Sequence, residues 1–273
     1  MTNKVRNPSA RRNAIQRQLL LNGDVAVETL ARDLGVSVAT IRRDLTSLEE
    51  SGSIRRTHGG ATVTAPRGAD QAFALREQID SDQKRLIARA AFNLVDADQT
   101  LFMNDGSTIL ALARELVASD TALTVATPGV NIATALSENP KIDAYLAGGL
   151  VRHRTMGTTG DFVEQMLSSI NADVAFIAAE GFSVRDGLTF SYESDAKIAR
   201  IMSRQAVRTI VLATARKLGQ RDRITALRAS DVDILITDCS DTCMIGEIEK
   251  TGIEVIVAAG QDDDVENIHV LPA

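Results

Sequence analysis

The sequence predicts an α/β protein, in which an N-terminal winged helix-turn-helix precedes a C-terminal doubly wound, mainly parallel sheet. Three observations lead to this fold class. The first 65 residues hold three helical patterns and a glycine-turned hairpin, and residues beyond 100 alternate between seven apolar runs and helical patterns. A polar stretch of weak periodicity joins the two parts. We therefore expect domains at residues 1–65 and 83–273, with a linker at 66–82.

The composition is that of an ordinary soluble protein. Its 273 residues are 44% hydrophobic and 24% charged, enough chain for two domains with buried cores. No apolar run approaches the ~20 residues of a membrane span, and the polar first residues lack the apolar segment of a secretory signal. We expect a cytoplasmic protein without membrane contact. Cys239, Cys243 and three scattered histidines predict neither disulfides nor a metal site, and no cofactor is implied.

Charge is divided unevenly along the chain. Residues 1–67 hold eleven Lys and Arg against six Asp and Glu, a net charge of +5, and the remainder carries −11 of the total of −6. A basic module on an acidic body indicates binding of a polyanion by the module alone.

Apolar spacing predicts the helices of the basic module. Ile15 and Leu19 mark the first helix, and Leu30 and Leu34 mark the second, which ends before Gly35. Ser37 is a suitable N-cap for a third helix with an apolar stripe at Ile41, Leu45 and Leu48, and Gly52 is placed to end it. Two helices joined by the turn at residues 34–36 form a helix-turn-helix, whose second helix is of the size that enters the major groove.

The paired arginines of this module take different positions. On a helical projection Arg43 points away from the buried stripe together with Ala39 and Thr46, and Arg42 lies on the flank. Arg43 is therefore suited to base edges and Arg42 to phosphates. Asp44 projects beside the stripe, which favours a structural role as the partner of an arginine. The alternative is that all these arginines are ordinary solvated charges.

A short hairpin is predicted after the third helix. The stretch GSIRRTHGGATV alternates towards a turn at Gly59-Gly60, with Arg55 and Arg56 on its first strand. A hairpin in this place forms the wing of a winged helix, and its arginines are suited to phosphate contacts.

Residues 36–61, VSVATIRRDLTSLEESGSIRRTHGGA, resemble the winged-helix signature of the DeoR family of bacterial regulators of sugar metabolism. The matches cover residues 40–45, Leu48, Glu49 and residues 58–61, and the similarity extends through most of the chain. The resemblance implies a DNA-binding repressor with a C-terminal sugar-phosphate sensor whose fold is similar to ribose-phosphate isomerase. The residues expected at the DNA are Ser37, Ala39, Thr40, Arg42, Arg43, Thr46, Arg55, Arg56 and His58.

The C-terminal part supports a sheet domain when it is taken alone. Its apolar runs are TLFMN, ALTVAT, DAYLAG, DVAFIAA, TIVLAT, DILITD and EVIVAA. Short continuous apolar runs indicate strands buried on both faces, and their alternation with helical patterns predicts a mainly parallel sheet.

In such sheets a ligand binds beyond the carboxyl ends of the strands. Residues 104–108 follow the first run and open a helix, so that a glycine-containing turn offers backbone amides to a phosphate. The alternative is an ordinary strand-to-helix turn capped by Ser107. Thr127-Pro128-Gly129, Gly148-Gly149 and Glu180-Gly181 follow the next runs. Cations that could complete an anion site are Arg152, Arg154, Lys197 and Lys217.

The resemblance adds detail to this site and shows departures from the family. Family loops that usually read Asp-x-Gly-Thr-Thr and Thr-Asn-Ser are Asn104-Asp105-Gly106-Ser107-Thr108 and Thr127-Pro128-Gly129 here. The family lysine, usually preceded by an aspartate and small polar residues, is Lys217 after Thr214-Ala215-Arg216. The family's Glu-x-x-x-Lys segment is kept as Glu193 and Lys197. We therefore expect an effector other than the commonest sugar phosphates. The expected effector residues are Asn104, Asp105, Gly106, Ser107, Thr108, Thr127, Gly148, Gly149, Arg152, Glu193, Lys197 and Lys217.

Three functions compete at this point. A repressor of a carbohydrate catabolic operon, released by a sugar phosphate or related anion, agrees with both parts of the chain. A sugar-phosphate isomerase or deaminase would use Asp105 or Glu180 as a base with help from Lys217. An architectural DNA binder would need no effector. Since one winged helix covers only a half-site, we expect the repressor to be a homo-oligomer on its operator DNA.

Overall fold

The structure is a computed structural model that describes residues 7–22, 25–50, 54–57, 60–63, 73–152 and 155–259. The chain forms two compact units, Met1–Ile79 and Asp80–Ala273. In the part of the chain that the structure describes, no helix is both long and apolar enough to cross a bilayer.

The first unit is built from helices packed beside a small sheet. Its elements are α1 Pro8–Asn22, β1 Val25–Ala26, α2 Val27–Leu34, α3 Val38–Glu50, β2 Ile54–Thr57, β3 Gly60–Val63 and α4 Phe73–Gln78. The apolar side chains that predict the three helices are buried together, with Ile15, Leu19, Leu30, Ile41 and Leu45 fully inaccessible. The three predicted helices are therefore confirmed.

The turn between α2 and α3 follows from two residues. Gly35 adopts the left-handed conformation, with φ of 64°, and ends α2. The Ser37 Oγ accepts a hydrogen bond from the Thr40 amide at 3.2 Å, which confirms Ser37 as the N-cap of α3. Gly52, predicted to end α3, lies outside the described residues.

The predicted hairpin is present as β2 and β3, which pair antiparallel from Ile54 with Val63 to Thr57 with Gly60. The sequence pattern did not predict β1, which pairs with β3 and places the strands in the order β1-β3-β2. A Cβ at Gly60 would lie 2.2 Å from the Val25 carbonyl oxygen, so glycine is needed where β1 meets β3.

The second unit is an α/β fold. Its helices are α5 Ser81–Phe92, α6 Ser107–Val117, α7 Val130–Leu136, α8 Asp161–Ser168, α9 Glu193–Gln205 and α10 Thr242–Glu249. Its strands are β4 Thr100–Met103, β5 Leu123–Thr127, β6 Ile142–Leu146, β7 Leu150–Arg152, β8 Gly157–Thr159, β9 Ala172–Ala178, β10 Gly181–Ser183, β11 Gly187–Phe190, β12 Ala206–Leu212, β13 Ile224–Leu227, β14 Ile234–Thr237 and β15 Glu254–Val257.

Seven of these strands form a parallel sheet in the order β15-β14-β12-β9-β4-β5-β6. They are the seven apolar runs of the sequence, so the predicted doubly wound sheet is confirmed. From β4 the chain moves outward through β5 and β6 and then returns to β9 on the other side of β4. The carboxyl ends of β4 and β9 therefore flank a topological switch point, where open α/β sheets form a crevice.

Several smaller elements have no counterpart in the sequence prediction. β7 and β8 form an antiparallel hairpin, and β10, β11 and β13 form a separate antiparallel sheet. The interval 66–82, expected as a linker, contains α4 and the first two residues of α5. The strands of the hairpin and of the separate sheet have three or four residues each, which is too short for a periodic sequence pattern to reveal them.

Candidate functional site

Helix α3 exposes the face that the sequence assigns to DNA. Ile41, Leu45 and Leu48 are buried, and the exposed residues on the other side are Ala39, Arg42, Arg43 and Thr46. Thr40 is half-buried, and its hydroxyl lies 2.8 Å from the Ser37 Oγ. The exposed face of α3 therefore carries Arg42 and Arg43, together with the small side chains of Ala39 and Thr46.

Two arginines of α1 hold α3 in place. Arg11 donates through Nε to Asp44 Oδ2 at 2.6 Å and through Nη2 to Asp44 Oδ1 at 3.2 Å. Both side chains are only 9% exposed. Arg12 Nη1 donates to Ser47 Oγ at 2.7 Å. The prediction that Asp44 partners an arginine is confirmed, and this bidentate pair fixes the orientation of α3 against α1.

Arg55 and Arg56 lie on β2, where their backbones pair with Thr62 and Ala61. The side chains of both arginines lie outside the described part of the chain, as does His58. Their expected phosphate contacts stay predictions.

Polar side chains of the second unit meet at the switch point. Asp105 follows β4, Glu180 follows β9, and Lys217 follows β12 in a short 3-10 helix. Arg152 comes from β7 and Asp195 from the first turn of α9. We call these five residues the Arg152 cluster; it contains three carboxylates and two cations.

Arg152 connects separate elements of the cluster. Its Nη2 donates to Asp195 Oδ1 and lies 3.4 Å from Asp105 Oδ2, and its Nη1 donates to Ser194 Oγ at 3.3 Å. A Cβ at Gly157 would lie 2.0 Å from Asp105 Oδ2, so the backbone of β8 lies directly against this carboxylate. The β7–β8 hairpin is thereby tied to both the end of β4 and the start of α9.

Glu180 is the carboxylate that follows β9, and its charge acts on both Arg152 and Asp195. It accepts a hydrogen bond from the Ser191 amide at 2.7 Å, and the Ser191 hydroxyl donates to Asp222 Oδ2 at 2.7 Å. Lys217 Nζ donates to the Ala179 carbonyl oxygen. Burial raises the pKa of Glu180, against the hydrogen bonds from Ser191 and the charge of Lys217, which lower it.

Asp195 is the carboxylate most altered by its surroundings. Burial, and then the charge of Asp105, raise its pKa from 3.8 to about 6, although the hydrogen bond and charge of Arg152 oppose the shift. Burial of this carboxylate is thus the main reason that it binds a proton more readily than an exposed aspartate.

Some expected effector residues serve the backbone instead. Asn104 is buried and joins β4 to β9, because its Oδ1 accepts from the Ala178 amide at 2.9 Å and its Nδ2 donates to the Ala178 carbonyl at 3.2 Å. Thr127 is buried, and its Oγ1 accepts from the Gly129 amide at 2.9 Å. Both groups hold the loops that shape the crevice.

The glycines differ in their surroundings. Gly106 precedes Ser107, the first residue of α6, in extended conformation, and a Cβ there would lie 2.5 Å from the Ala178 Cβ. Gly149 packs against the Thr159 carbonyl oxygen, whereas a Cβ at Gly148 would meet no atom within 4 Å.

Two expected effector residues make contacts elsewhere on α9. Glu193 Oε1 accepts from Arg200 Nη1 at 2.9 Å, and Lys197 Nζ lies 2.6 Å from Glu164 Oε2 on α8. The hydrogen bond from Arg200 lowers the pKa of Glu193, and the bond to Glu164 raises the pKa of Lys197. Arg154, also expected near an anion, lies outside the described residues.

Three buried polar atoms around the crevice make no hydrogen bond within the described part of the chain: Thr108 Oγ1, Asn131 Oδ1 and Arg152 Nε. Thr108 and Asn131 lie in the first turns of α6 and α7, which follow the carboxyl ends of β4 and β5. Leaving a buried polar atom without a hydrogen bond costs free energy. The region that contains these three atoms is therefore suited to a ligand with several hydrogen-bonding groups.

Known family profiles match both units. The DeoR-like helix-turn-helix domain matches residues 11–67, and the DeoR C-terminal sensor domain matches residues 79–239. The chain belongs to the DeoR family. It is a DNA-binding transcriptional regulator with a sensor domain, as the winged helix and the parallel sheet lead one to expect.

This DeoR-family regulator is similar to proteins of known name over most of its length. The HTH-type transcriptional regulator GolR of Listeria innocua is 33% identical over 92% of this chain and 99% of that protein. The lactose phosphotransferase system repressor of Staphylococcus epidermidis is 28% identical over 86% of this chain and 93% of that protein. Ribose 5-phosphate isomerase A of Methanocaldococcus jannaschii has 17% identity and a TM-score of 0.39, over 51% of this chain and 55% of that chain.

The sequence interpretation of this DeoR-family chain missed four residues at the crevice: Ser191, Ser194, Asp195 and Asp222. A signal for two of them was present, since Ser194 and Asp195 open a helix after an apolar strand segment, the same arrangement that drew attention to residues 104–108. Asp222 had no such signal, because it follows a turn; it hydrogen-bonds to Ser191 and its charge acts on Glu180.

Proposed function

We propose that this DeoR-family protein represses carbohydrate catabolic genes and leaves its operator when a sugar phosphate or a related anionic metabolite binds at the Arg152 cluster. We further propose that it acts in the cytoplasm as a homo-oligomer and catalyses no reaction. The observation that carries the proposal is the junction at the switch point of the α6 N-terminus, two cations and three carboxylates.

Each group of the cluster suits one part of such a ligand. The amides at the start of α6, with Arg152 and Lys217, favour an anion. Carboxylates such as Glu180 accept hydrogen bonds from sugar hydroxyls. Thr108 Oγ1, which has no hydrogen-bond partner among the described residues, supplies a further hydrogen-bonding group. The lactose-related name of one relative supports a carbohydrate signal.

The cluster also supports a mechanism of release. Arg152 links β7 to α9 through Asp195. An anion that bonds to Arg152 competes with Asp195 and Asp105, so it favours a different arrangement of β7 and α9. Only such a difference in affinity between two conformations allows a ligand to change DNA binding.

The DNA part of the proposal is tested at Arg43. Arg43→Ala should lower discrimination between operator and random DNA by about 1–3 kcal/mol, because an arginine reads guanine bidentately. Arg55→Ala or Arg56→Ala should weaken binding to all sequences equally and reduce its salt dependence. Fluorescence anisotropy with both DNAs measures the ratio. An unchanged ratio in Arg43→Ala would contradict the base-reading assignment.

The effector part is tested at Lys217. Lys217→Ala should weaken effector binding by roughly 1.5–3 kcal/mol through loss of a charge-assisted contact, with operator affinity unchanged when no effector is present. Calorimetry against phosphosugars and their free sugars gives the measurement, and Lys250→Ala, at an exposed lysine directly after α10, is the matched control. Equal affinities of Lys217→Ala and wild type, or an inducer without an anionic group, would refute the anion site. Aldose–ketose turnover by the protein would favour the enzyme alternative.

A further inference from the structure

A surface rich in exposed apolar side chains lies next to Arg152 along the chain. Five of the nine large apolar side chains that are exposed in the described part of the chain fall within residues 145–162. We call them the arm patch: Tyr145, Leu146, Leu150, Val151 and Phe162. The other four exposed apolar residues, Val184, Tyr192, Val207 and Val257, are separated from each other along the chain.

The arm patch is uncovered on both faces of its strands. Tyr145 and Leu146 are successive residues of β6, so they point to opposite faces, yet they are 53% and 41% exposed. Leu150 and Val151 are successive residues of β7, 72% and 54% exposed. β6 is the last strand of the seven-stranded sheet.

The chain folds back on itself to bring the arm patch together. Leu150 pairs with Thr159, three residues before Phe162 in the first turn of α8. The Thr158 hydroxyl donates to the Ala147 carbonyl at the end of β6. The five side chains therefore belong to one region at the edge of the sheet.

We propose that the arm patch is the surface on which a second copy of this chain docks. The five side chains present on the order of 500 Å² of apolar surface. A standard interface buries ~800 Å² per partner, of which about 65% is apolar in homodimers, so the arm patch is of the size that a stable dimer needs.

Charge supports a second copy as the occupant. The chain beyond residue 67 carries a net charge of −11, which repels nucleic acid and also repels a second acidic body. The five arm-patch side chains are apolar, and Asp161, which directly precedes Phe162, is the exposed acidic residue beside them within the described residues 145–152 and 155–162. Two acidic bodies that meet here bring few like charges together. In a two-fold dimer the same patch meets itself, as an apolar surface allows.

Docking here has a consequence for the sensor. Arg152 directly follows Val151 on β7, so a second copy that covers Leu150 and Val151 fixes the strand that carries the central cation of the cluster. A change in the partners of Arg152 is then passed to the dimer, and through it to the spacing of the two winged helices. This consequence rests on the proposed function, whereas the docking surface does not.

Sedimentation equilibrium of the full chain tests the surface. Leu150→Ser and Phe162→Ser should each raise the dimer dissociation constant by about 30-fold or more. Val207→Ser is the matched control, because Val207 is 80% exposed but lies at the start of β12; it should leave the constant unchanged. Variants that keep their far-UV circular dichroism and the wild-type assembly overturn the proposal, as does a wild-type chain that stays monomeric at 100 µM.

A second experiment avoids polar substitutions that could disturb folding. Phe162→p-benzoylphenylalanine keeps an aromatic side chain and forms a covalent product on irradiation. Crosslinks to residues 145–162 of a second copy support the surface, and crosslinks confined to other residues, or none, overturn it. A chain that dimerises through the arm patch but binds no operator would refute the proposed function and leave this inference in place.

Discussion

At the scale of single residues, the ion pair between Arg11 and Asp44 controls how the DNA-binding helix is presented. Both groups are almost fully buried and joined by two hydrogen bonds. A buried ion pair of this kind fixes the orientation of the two helices more than it adds to the free energy of unfolding, because the cost of desolvating both charges offsets much of their attraction. Removing one partner is different, since it leaves the other charge buried alone.

Asp44→Asn should therefore destabilise the first unit by about 3–5 kcal/mol. The measurement is the free energy of unfolding from urea titration, followed by circular dichroism. Asp33→Asn is the matched control, because Asp33 pairs with Arg32 while the Arg32 side chain is 75% exposed, and its loss should cost about 0–1 kcal/mol. Equal losses in the two variants would contradict the structural role of Asp44.

Asp195 predicts a dependence of stability on pH. Its pKa in the folded chain is about 6, above the ordinary 3.8 of the unfolded chain. The folded chain therefore binds this proton more readily, and its destabilising charge is fully present above about pH 7. As the pH falls through 6 towards 4, protonation should raise the free energy of unfolding by on the order of 1–3 kcal/mol.

Asp195→Asn should remove this contribution, so that the variant becomes less stable relative to wild type as the pH is lowered from about 7 to about 4. Urea titrations at several pH values give the comparison. Asp120→Asn, at an exposed carboxylate paired with Lys141, should follow the wild-type curve. Identical curves for wild type and Asp195→Asn would show that Asp195 titrates normally.

At the scale of elements, the crevice depends on how closely β4, α6 and β9 approach each other. Asn104 adds two hydrogen bonds between β4 and β9 beyond the last strand pair. Gly106 then opens α6 in contact with Ala178 at the end of β9. This approach sets the start of α6, and hence its free amides, at the switch point.

Gly106→Ala should destabilise the second unit by about 1–3 kcal/mol, because the added Cβ would lie 2.5 Å from the Ala178 Cβ and force α6 away from β9. Thermal unfolding of the full chain measures the loss. Gly148→Ala is the matched control, since its Cβ would meet no atom within 4 Å. A loss as large at Gly148 would mean that crowding at Ala178 is not the cause.

At the scale of the whole molecule, the DNA-binding domain and the sensor domain fall mainly in different units. The basic winged helix belongs to Met1–Ile79, and the Arg152 cluster belongs to Asp80–Ala273. Each unit has its own apolar core. We propose domain boundaries at 1–65 and 83–273.

Limited proteolysis should cut the interval 66–82 before it cuts elsewhere and leave a stable acidic fragment. Within that interval, Phe73 on α4 is buried, so we expect cleavage before residue 73. Mass spectrometry of the fragments identifies the site. Early cleavage within residues 100–180 would show that the proposed boundary is wrong. The resulting fragment would lack a complete sheet.

The sequence by itself determined the elements whose signals are local. The seven strands of the main sheet were predictable because each is a short apolar run buried on both faces, and α3 was predictable from its cap and its stripe. The role of Asp44 also followed from its position on the helix. These features depend on residues within a few positions of each other, where periodicity is set by the geometry of a helix or strand.

Only the tertiary structure decided which residues meet at the crevice. Arg152 and Asp195 lie 43 positions apart, and Asn104 and Ala178 lie 74 apart. Their contacts follow from the order of strands in the sheet, which no local period encodes. The same reason explains why Lys197, with a suitable charge and spacing, pairs with Glu164 on a neighbouring helix, and why β1, only two residues long, exists because β3 lies beside it.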